Sequence, residues 1–200
     1  PRFADAWADF SQGGDAGRLL AVVFIGTMAF NMQDVLLEPY GGEILGLSVS
    51  ATTLLTALWA AGALVGFGFA ARWLSRGLDS YRMASRGILV GITAFSFVVF
   101  SAPMASPLLF FIGATLIGLG GGLFAVATLT AAMTMPASGL AGRGLALGAW
   151  GAAQATAWGL AIALGGTIRD GVGALAMSGA LGEALARPAT GYSEDGRAHV

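Results

Sequence analysis

The chain has 200 residues, of which 56% are hydrophobic and 10% are charged, with a net charge of -1 and a mean hydropathy of +0.76. Soluble domains carry about 25% charged residues, so this composition predicts an integral membrane protein. The sequence contains no cysteine, which excludes disulfides and thiol chemistry, and it has no basic run that indicates nucleic-acid binding. Its single histidine, His199, lies in a polar tail, so we predict neither a histidine-based active site nor an enzyme.

Five apolar segments follow a polar start. Residues 1–17 combine aspartates with aromatic residues such as Trp7 and Phe10 and predict a linker or a short surface helix. Most of the apolar segments approach the ~20 residues that cross a bilayer as a helix, whereas barrel strands would be ~10 residues with strict alternation. We therefore predict an all-α membrane protein, with a half-bundle over residues 18–170, a non-cytoplasmic loop and polar tail over 171–200, and transmembrane helices at 19–37, 52–73, 88–102, 107–133 and 145–168.

Arginine predicts the orientation of these spans. The loop after the second span holds four of the ten arginines, and the loop after the fourth span holds Arg143. The loops at 39–50 and 102–107 hold none. By the positive-inside rule, residues 72–86 and 134–143 are cytoplasmic and the loop at 39–50 lies on the opposite side.

Four polar residues cluster at the end of the first span: Asn31, Gln33, Asp34 and Glu38. A carboxylate in hydrocarbon costs at least about 2.5–3.5 kcal/mol, so Asp34 requires a partner, a wet cavity or a proton. On one helix Asp34 and Glu38 share a face, and Asn31 and Gln33 lie within one turn. Pro39, Gly41 and Gly42 predict the end of that helix. Alternatively, Glu38 lies at the membrane interface and Asp34 extends towards it.

The fifth span carries further candidate binding residues. The amide of Gln154 lies in mid-span, where it must find a hydrogen bond or a ligand. Trp150 and Trp158 are eight residues apart, on roughly one face, and either contact a flat apolar ligand or pack in the core and against lipid. Small residues let helices approach closely in lipid, so five glycines are predicted to mediate helix packing: Gly118, Gly122, Gly144, Gly148 and Gly151.

Two stretches resemble a known family. Residues 33–40 read Q-D-V-L-L-E-P-Y, and residues 145–157 read L-A-L-G-A-W-G-A-A-Q-A-T-A, followed by L-G-G-T-I-R-D at 164–170. Both are similar to stretches of the PucC/LhaA-like proteins, the bacteriochlorophyll delivery branch of the major facilitator superfamily. Residues 66–77 resemble a degenerate form of the facilitator loop signature. The resemblance covers about residues 18–192.

This resemblance implies a fold of two six-helix halves, in which the five spans correspond to spans seven to eleven, without the final span. A half-bundle does not enclose a central cavity, so the resemblance implies an N-terminal half of the facilitator fold or another membrane protein as a partner, besides lipid. It further implies an assembly factor for light-harvesting complexes in the bacterial inner, photosynthetic membrane. The implied partners are the light-harvesting polypeptides or the reaction-centre complex.

Bacteriochlorophyll is the cofactor or cargo that the resemblance implies. Its magnesium takes an axial oxygen or nitrogen ligand, for which Gln33 or Glu38 are the first candidates in spans that lack histidine. We predict no other metal site; the further pigment-binding candidates are Asn31, Asp34, Trp150, Gln154 and Trp158. Two alternatives stay open: a structural subunit docked on a photosynthetic complex, and half of a proton-coupled facilitator in which Asp34 and Glu38 share a proton.

Overall fold

The computed structural model describes residue 8 and residues 14–43, 45–135 and 142–177. This part of the chain is helical and contains no β-strand. The predicted segments 1–17 and 171–200 lie outside it, apart from the residues that begin the first helix and end the last one. The helices are α1 (Gly14–Asn31), α2 (Gln33–Glu43), α3 (Val49–Leu74), α4 (Ser80–Ser101), α5 (Pro107–Thr134) and α6 (Gly142–Met177).

The lengths and apolar character of these helices fit a membrane. Four segments of the described residues are long and apolar enough to cross one: Gly14–Gly42, Val49–Leu74, Ser80–Ser101 and Pro107–Thr134. Helix α6 contains the fifth predicted span; its 36 residues extend over about 54 Å. It continues past the predicted end at residue 168 to Met177. The predicted all-α membrane fold is therefore confirmed, with four to five helices long and apolar enough to span the bilayer.

Local sequence signals set several helix ends. The Asp79 carboxylate accepts a hydrogen bond from the backbone N–H of Arg82 at 2.9 Å and caps α4. Ser106 caps α5 in the same way, with Pro107 at the first helical position, where no N–H is needed. Gly77 adopts a φ of +87° in the turn between α3 and α4. With these short connections α3, α4 and α5 run in alternating directions, and α3 and α4 hardly contact each other.

Helix α5 is the central helix, because it packs extensively against both α3 and α4. Glycine lets the backbones of α3 and α5 touch. A Cβ on Gly66 would lie 2.5 Å from the carbonyl oxygen of Leu119, and one on Gly122 would lie 2.6 Å from that of Ala63. A GxxxG pair on α3, Gly62 and Gly66, therefore packs against α5, and a GxxxG pair on α5, Gly118 and Gly122, packs against α3 in the same seam.

The α4–α5 contact uses the same device. A Cβ on Gly87 would lie 2.8 Å from the carbonyl oxygen of Gly120. Beside this seam, the Phe110 and Phe124 rings of α5 and the Met83 side chain of α4 are fully buried. Close backbone approach and interlocking large side chains together hold α4 against α5.

Helix α6 packs mainly on α1, and through alanine rather than glycine. Ala146 and Ala149 are buried against Ala16 of α1. Further along α6, Ala157 and Ala161 are also buried, and they continue the same stripe at helical spacing. Three glycines of α6 that the sequence predicted to pack against another helix do not do so, because α6 packs on α1 through its alanines: a Cβ placed on Gly144, Gly148 or Gly151 would have no atom within 4 Å.

One end of the bundle is polar, and the outer surface between the ends is apolar. Arg18 at the start of α1 lines one cavity together with Asp79, Tyr81 and Thr134. The start of α1, the α3–α4 turn and the end of α5 therefore meet at one end, which is the end predicted to be cytoplasmic. Between the ends, large apolar side chains cover the outer surface, as contact with lipid requires: Ile25, Leu64, Leu89, Ile92, Val99 and Leu108 are each at least 60% exposed.

Candidate ligand cavities

A break in the first span places the polar cluster. Helix α1 ends at Asn31, and α2 begins at Gln33 after a turn at Met32. The Asn31 side chain folds back, and its Nδ2 donates to the Thr27 carbonyl oxygen at 2.7 Å. A side chain that competes for a ladder acceptor in this way is a recognised cause of a helix break. Asn31 and Gln33 consequently lie on either side of this break.

Pro39 does not end the helix as predicted, because α2 continues through it and ends at Glu43, one residue after the predicted Gly41 and Gly42. Proline removes one ladder hydrogen bond and ordinarily kinks or ends a helix. Here tertiary packing compensates: the Tyr40 ring stacks on Phe110 with a centroid distance of 5.8 Å. Gly41 permits this approach, since a Cβ on it would lie 3.0 Å from the Phe110 ring.

A cavity of about 440 Å³ lies between α1, α3, α5 and α6, and we call it the mid-membrane cavity. The residues that line it lie near the middle of the three membrane-crossing segments that contain α1, α3 and α5, and near the middle of α6. Its volume falls within the range of small-molecule sites. Its polar side chains come from two elements: Thr27 and Asn31 from α1, and Gln154 from α6.

Aromatic rings and small residues form the walls of the mid-membrane cavity. Trp59 of α3 and Trp158 of α6 stand on one side. Phe30 and Phe124 form another wall, with ring centroids 5.7 Å apart and planes inclined by 39°. Small residues leave the intervening space open: Ala63, Gly118, Gly121, Gly122, Ala125, Gly151 and Ala155. Flat apolar walls around a few polar groups suit a flat, largely apolar ligand.

A second cavity of about 420 Å³ adjoins the first, because Trp59 and Trp158 line both. Its polar groups are Gln33, which is only 5% exposed, Glu38 and Thr56. The Glu38 Oε1 accepts a hydrogen bond from the Thr56 hydroxyl of α3 at 3.5 Å. The two cavities share these two tryptophans, and we refer to both cavities together as the cleft.

The structure brings five of the seven predicted pigment-binding residues to this cleft: Asn31, Gln33, Glu38, Gln154 and Trp158. Trp150 lies apart from it, and its Nε1–H donates to the Thr128 hydroxyl of α5 at 3.2 Å. The reason is geometric, because eight residues at 100° each leave Trp150 and Trp158 about 80° apart around α6. Asp34 lies on α2, but its side chain is outside the part of the structure described.

Sequence reasoning did not identify Thr27, Phe30 or Trp59 as residues of a ligand cavity. Thr27 precedes Asn31 by four residues, a spacing that places both on one helix face and could have identified it. Trp59 offered no such signal, since its position in the cavity depends on how α3 packs against α5. Among the described residues, no group of three or more His, Asp or Glu side chains could hold a metal ion.

Fold and cleft together define a multi-pass membrane protein with a small-molecule cavity at mid-depth. A family model described as PUCC protein matches residues 1–194, so the chain belongs to the PucC family. This finding confirms the family resemblance drawn from residues 33–40 and 145–157. The relatives come from bacteria, and together with the apolar helices they identify a multi-pass bacterial membrane protein.

Three relatives illustrate the match. An uncharacterized protein of Rhodobacter capsulatus, named for the puhA-bchM intergenic region, is 56% identical and aligns with 96% of this chain and 39% of its own length. Protein PucC of Rhodovulum sulfidophilum is 52% identical over 86% of this chain and 37% of its own. A more distant relative, the bacteriochlorophyll synthase 44.5 kDa chain of Rhodobacter capsulatus, is 34% identical over 85% and 40%.

The chain spans only 37–40% of the length of the curated relatives it matches. No solved structure matches it significantly. These relatives therefore contain further residues beyond the part that aligns with this chain and its cleft.

Proposed function

We propose that this chain acts in the assembly of photosynthetic antenna complexes, where it holds bacteriochlorophyll within the membrane and hands it to antenna polypeptides. The observation that carries the proposal is the mid-membrane cavity, in which tryptophans and small residues surround a few neutral polar groups. Membership of the PucC family and a relative named as a bacteriochlorophyll synthase chain agree with a pigment as the cargo.

The cleft matches the parts of such a pigment. Indole and phenyl rings pack well on a conjugated macrocycle, and the small residues leave a slot for it. The buried amide of Gln33 and the carboxylate of Glu38 offer oxygen atoms, which a hard magnesium ion prefers. The two cavities adjoin at Trp59 and Trp158, so a macrocycle that lies along these tryptophans would reach polar groups of both cavities.

The proposed role is handling without chemistry. The polar side chains of the mid-membrane cavity are one hydroxyl and two amides, which bind and orient a ligand. Trp158 is 52% exposed and Trp59 is 36% exposed, so the cleft is open on the side where they stand. We infer that a second membrane component covers this side: an N-terminal half of a facilitator-like fold, an antenna polypeptide or a reaction-centre subunit.

A cavity-filling pair of variants tests the proposal. Ala155 lines the mid-membrane cavity, whereas Ala152 is exposed on the same helix and does not line it. Affinity-tagged wild type, Ala155→Trp and Ala152→Trp would be expressed in a bacterium that makes bacteriochlorophyll and purified in mild detergent. We expect the absorbance of bacteriochlorophyll per protein to fall in Ala155→Trp alone. A colourless wild type that takes up no added pigment, or equal pigment in both variants, would contradict the proposal.

A further inference from the structure

The hydroxyl of Thr27 has no hydrogen-bond partner. Thr27 is only 7% exposed, and its Oγ1 is the one buried side-chain oxygen or nitrogen without a partner among the residues that the structure describes. Every other threonine in those residues makes a hydrogen bond. Thr56 donates to Glu38, and the rest donate to carbonyls of their own helices.

This absence of a bond is unusual for a threonine inside a helix. The hydroxyl of such a residue ordinarily donates to the carbonyl three or four residues earlier, as Thr130 does to Val126 at 2.8 Å. A buried hydroxyl that makes no bond destabilises the fold, because it has lost its hydration and gained nothing. Such groups in native proteins require an explanation, and a ligand is one of the standard ones.

The position of Thr27 favours a ligand. Thr27 lines the mid-membrane cavity, where most of the surrounding wall is aromatic, aliphatic or glycine. Asn31 lies one turn further along the same face and donates to the Thr27 carbonyl at 2.7 Å. Thr27 and Asn31 are the two polar side chains of α1 that line the cavity, and of these two the Thr27 hydroxyl is the donor without an acceptor.

We propose that the Thr27 hydroxyl donates a hydrogen bond to a carbonyl group at the edge of a flat conjugated ligand in the mid-membrane cavity. The inference rests on the proposed function in that bacteriochlorophyll is a ligand of this kind. Its periphery carries keto, acetyl and ester oxygens, and it has no hydroxyl or amine. Such a ligand accepts hydrogen bonds but does not donate them, which is what an unpaired donor requires.

The test uses variants that separate the hydroxyl from the shape of the side chain. Thr27→Val keeps the shape of the side chain and removes the donor, and Thr27→Ser keeps the donor. Thr130→Val is the matched control, because the Thr130 hydroxyl bonds within its own helix and does not line the cavity. The probes are bacteriochlorophyll a and its magnesium-free form, which retains the carbonyl groups. Binding by the purified chain is followed by absorbance, and the unfolding temperature is recorded without and with each probe.

Opposite effects of Thr27→Val are expected without and with pigment. Without pigment its unfolding temperature rises by about 2–6 °C over wild type, because an unpaired buried group is gone. With pigment it binds both probes about 2–10-fold more weakly, because one hydrogen bond is lost. Thr27→Ser binds as wild type does, and Thr130→Val shows neither the gain in unfolding temperature nor the loss of affinity.

Three outcomes would overturn the inference in distinguishable ways. Equal binding of both probes by wild type and Thr27→Val would remove the role of Thr27 and leave the proposed function standing. A wild type that binds neither probe would overturn the proposed function as well. If Thr27→Val is no more stable than wild type without pigment, the hydroxyl already has a partner such as water, and the premise is false.

Discussion

Replacement of Gly66 by alanine places a methyl group between two helix backbones. The new Cβ would lie 2.5 Å from the Leu119 carbonyl oxygen, whereas ordinary contact begins at 3.4 Å, so α3 and α5 would have to separate by about 0.9 Å. A gap of that size forfeits roughly a quarter to a half of the dispersion attraction along a seam. Overpacking costs about 1–3 kcal/mol, and because the atom contacted here is helix backbone and not a flexible side chain, the cost falls in the upper part of that range, about 2–3 kcal/mol. The higher helix propensity of alanine returns about 1 kcal/mol. We therefore expect a net loss of about 1–2 kcal/mol.

Gly68→Ala is the matched control, because nothing lies within 4 Å of a Cβ at Gly68 on the same helix. It should gain stability from helix propensity alone, by up to about 1 kcal/mol. Thermal unfolding of both variants in detergent, followed by circular dichroism at the helix band, gives the comparison. Gly66→Ala should unfold about 2–8 °C below wild type and Gly68→Ala at or above it. Equal unfolding temperatures would refute backbone contact between α3 and α5.

Two further predictions concern the core and the topology. Trp150→Phe should lower the free energy of unfolding by about 0.5–1.5 kcal/mol, because the hydrogen bond to Thr128 is lost. A double-mutant cycle with Thr128→Val should give a coupling energy close to that value, and a coupling energy near zero would count against the bond. The chain has no cysteine, so single cysteines report topology without background. A membrane-impermeant maleimide should label Ser75→Cys from the cytoplasmic side and Met104→Cys from the opposite side, and labelling of both from one side would exclude the proposed orientation.

The sequence could predict the features that depend on composition and on residues near one another. A low charge content and long apolar segments were enough for the class, and the polar residues between Asn31 and Glu38 indicated one end of the cleft. The GxxxG spacing at Gly62 and Gly66 was also present to be read, and it marks the face of α3 that packs against α5.

The features it could not predict depend on residues far apart in the chain. Proline should have ended α2, but Tyr40 stacks on Phe110, which lies in a helix about 70 residues further along, and this packing keeps the helix intact. The mid-membrane cavity requires four helices, so neither the position of Trp59 nor the isolation of the Thr27 hydroxyl could follow from any local pattern. Glycines offered a similar ambiguity, because a small residue is equally compatible with a seam, as at Gly118, and with open space, as at Gly148.

Tryptophan fluorescence during a titration with bacteriochlorophyll a tests directly whether the cleft binds pigment. A macrocycle in the cleft would lie beside Trp59 and Trp158 and quench their emission, whereas Trp73 stacks on Phe69 near the end of α3 and lines neither cavity of the cleft. We expect Trp59→Phe with Trp158→Phe to remove most of the quenching, and Trp73→Phe to leave it nearly intact. Quenching that is unchanged in the Trp59 and Trp158 double variant would contradict a pigment site in this cleft.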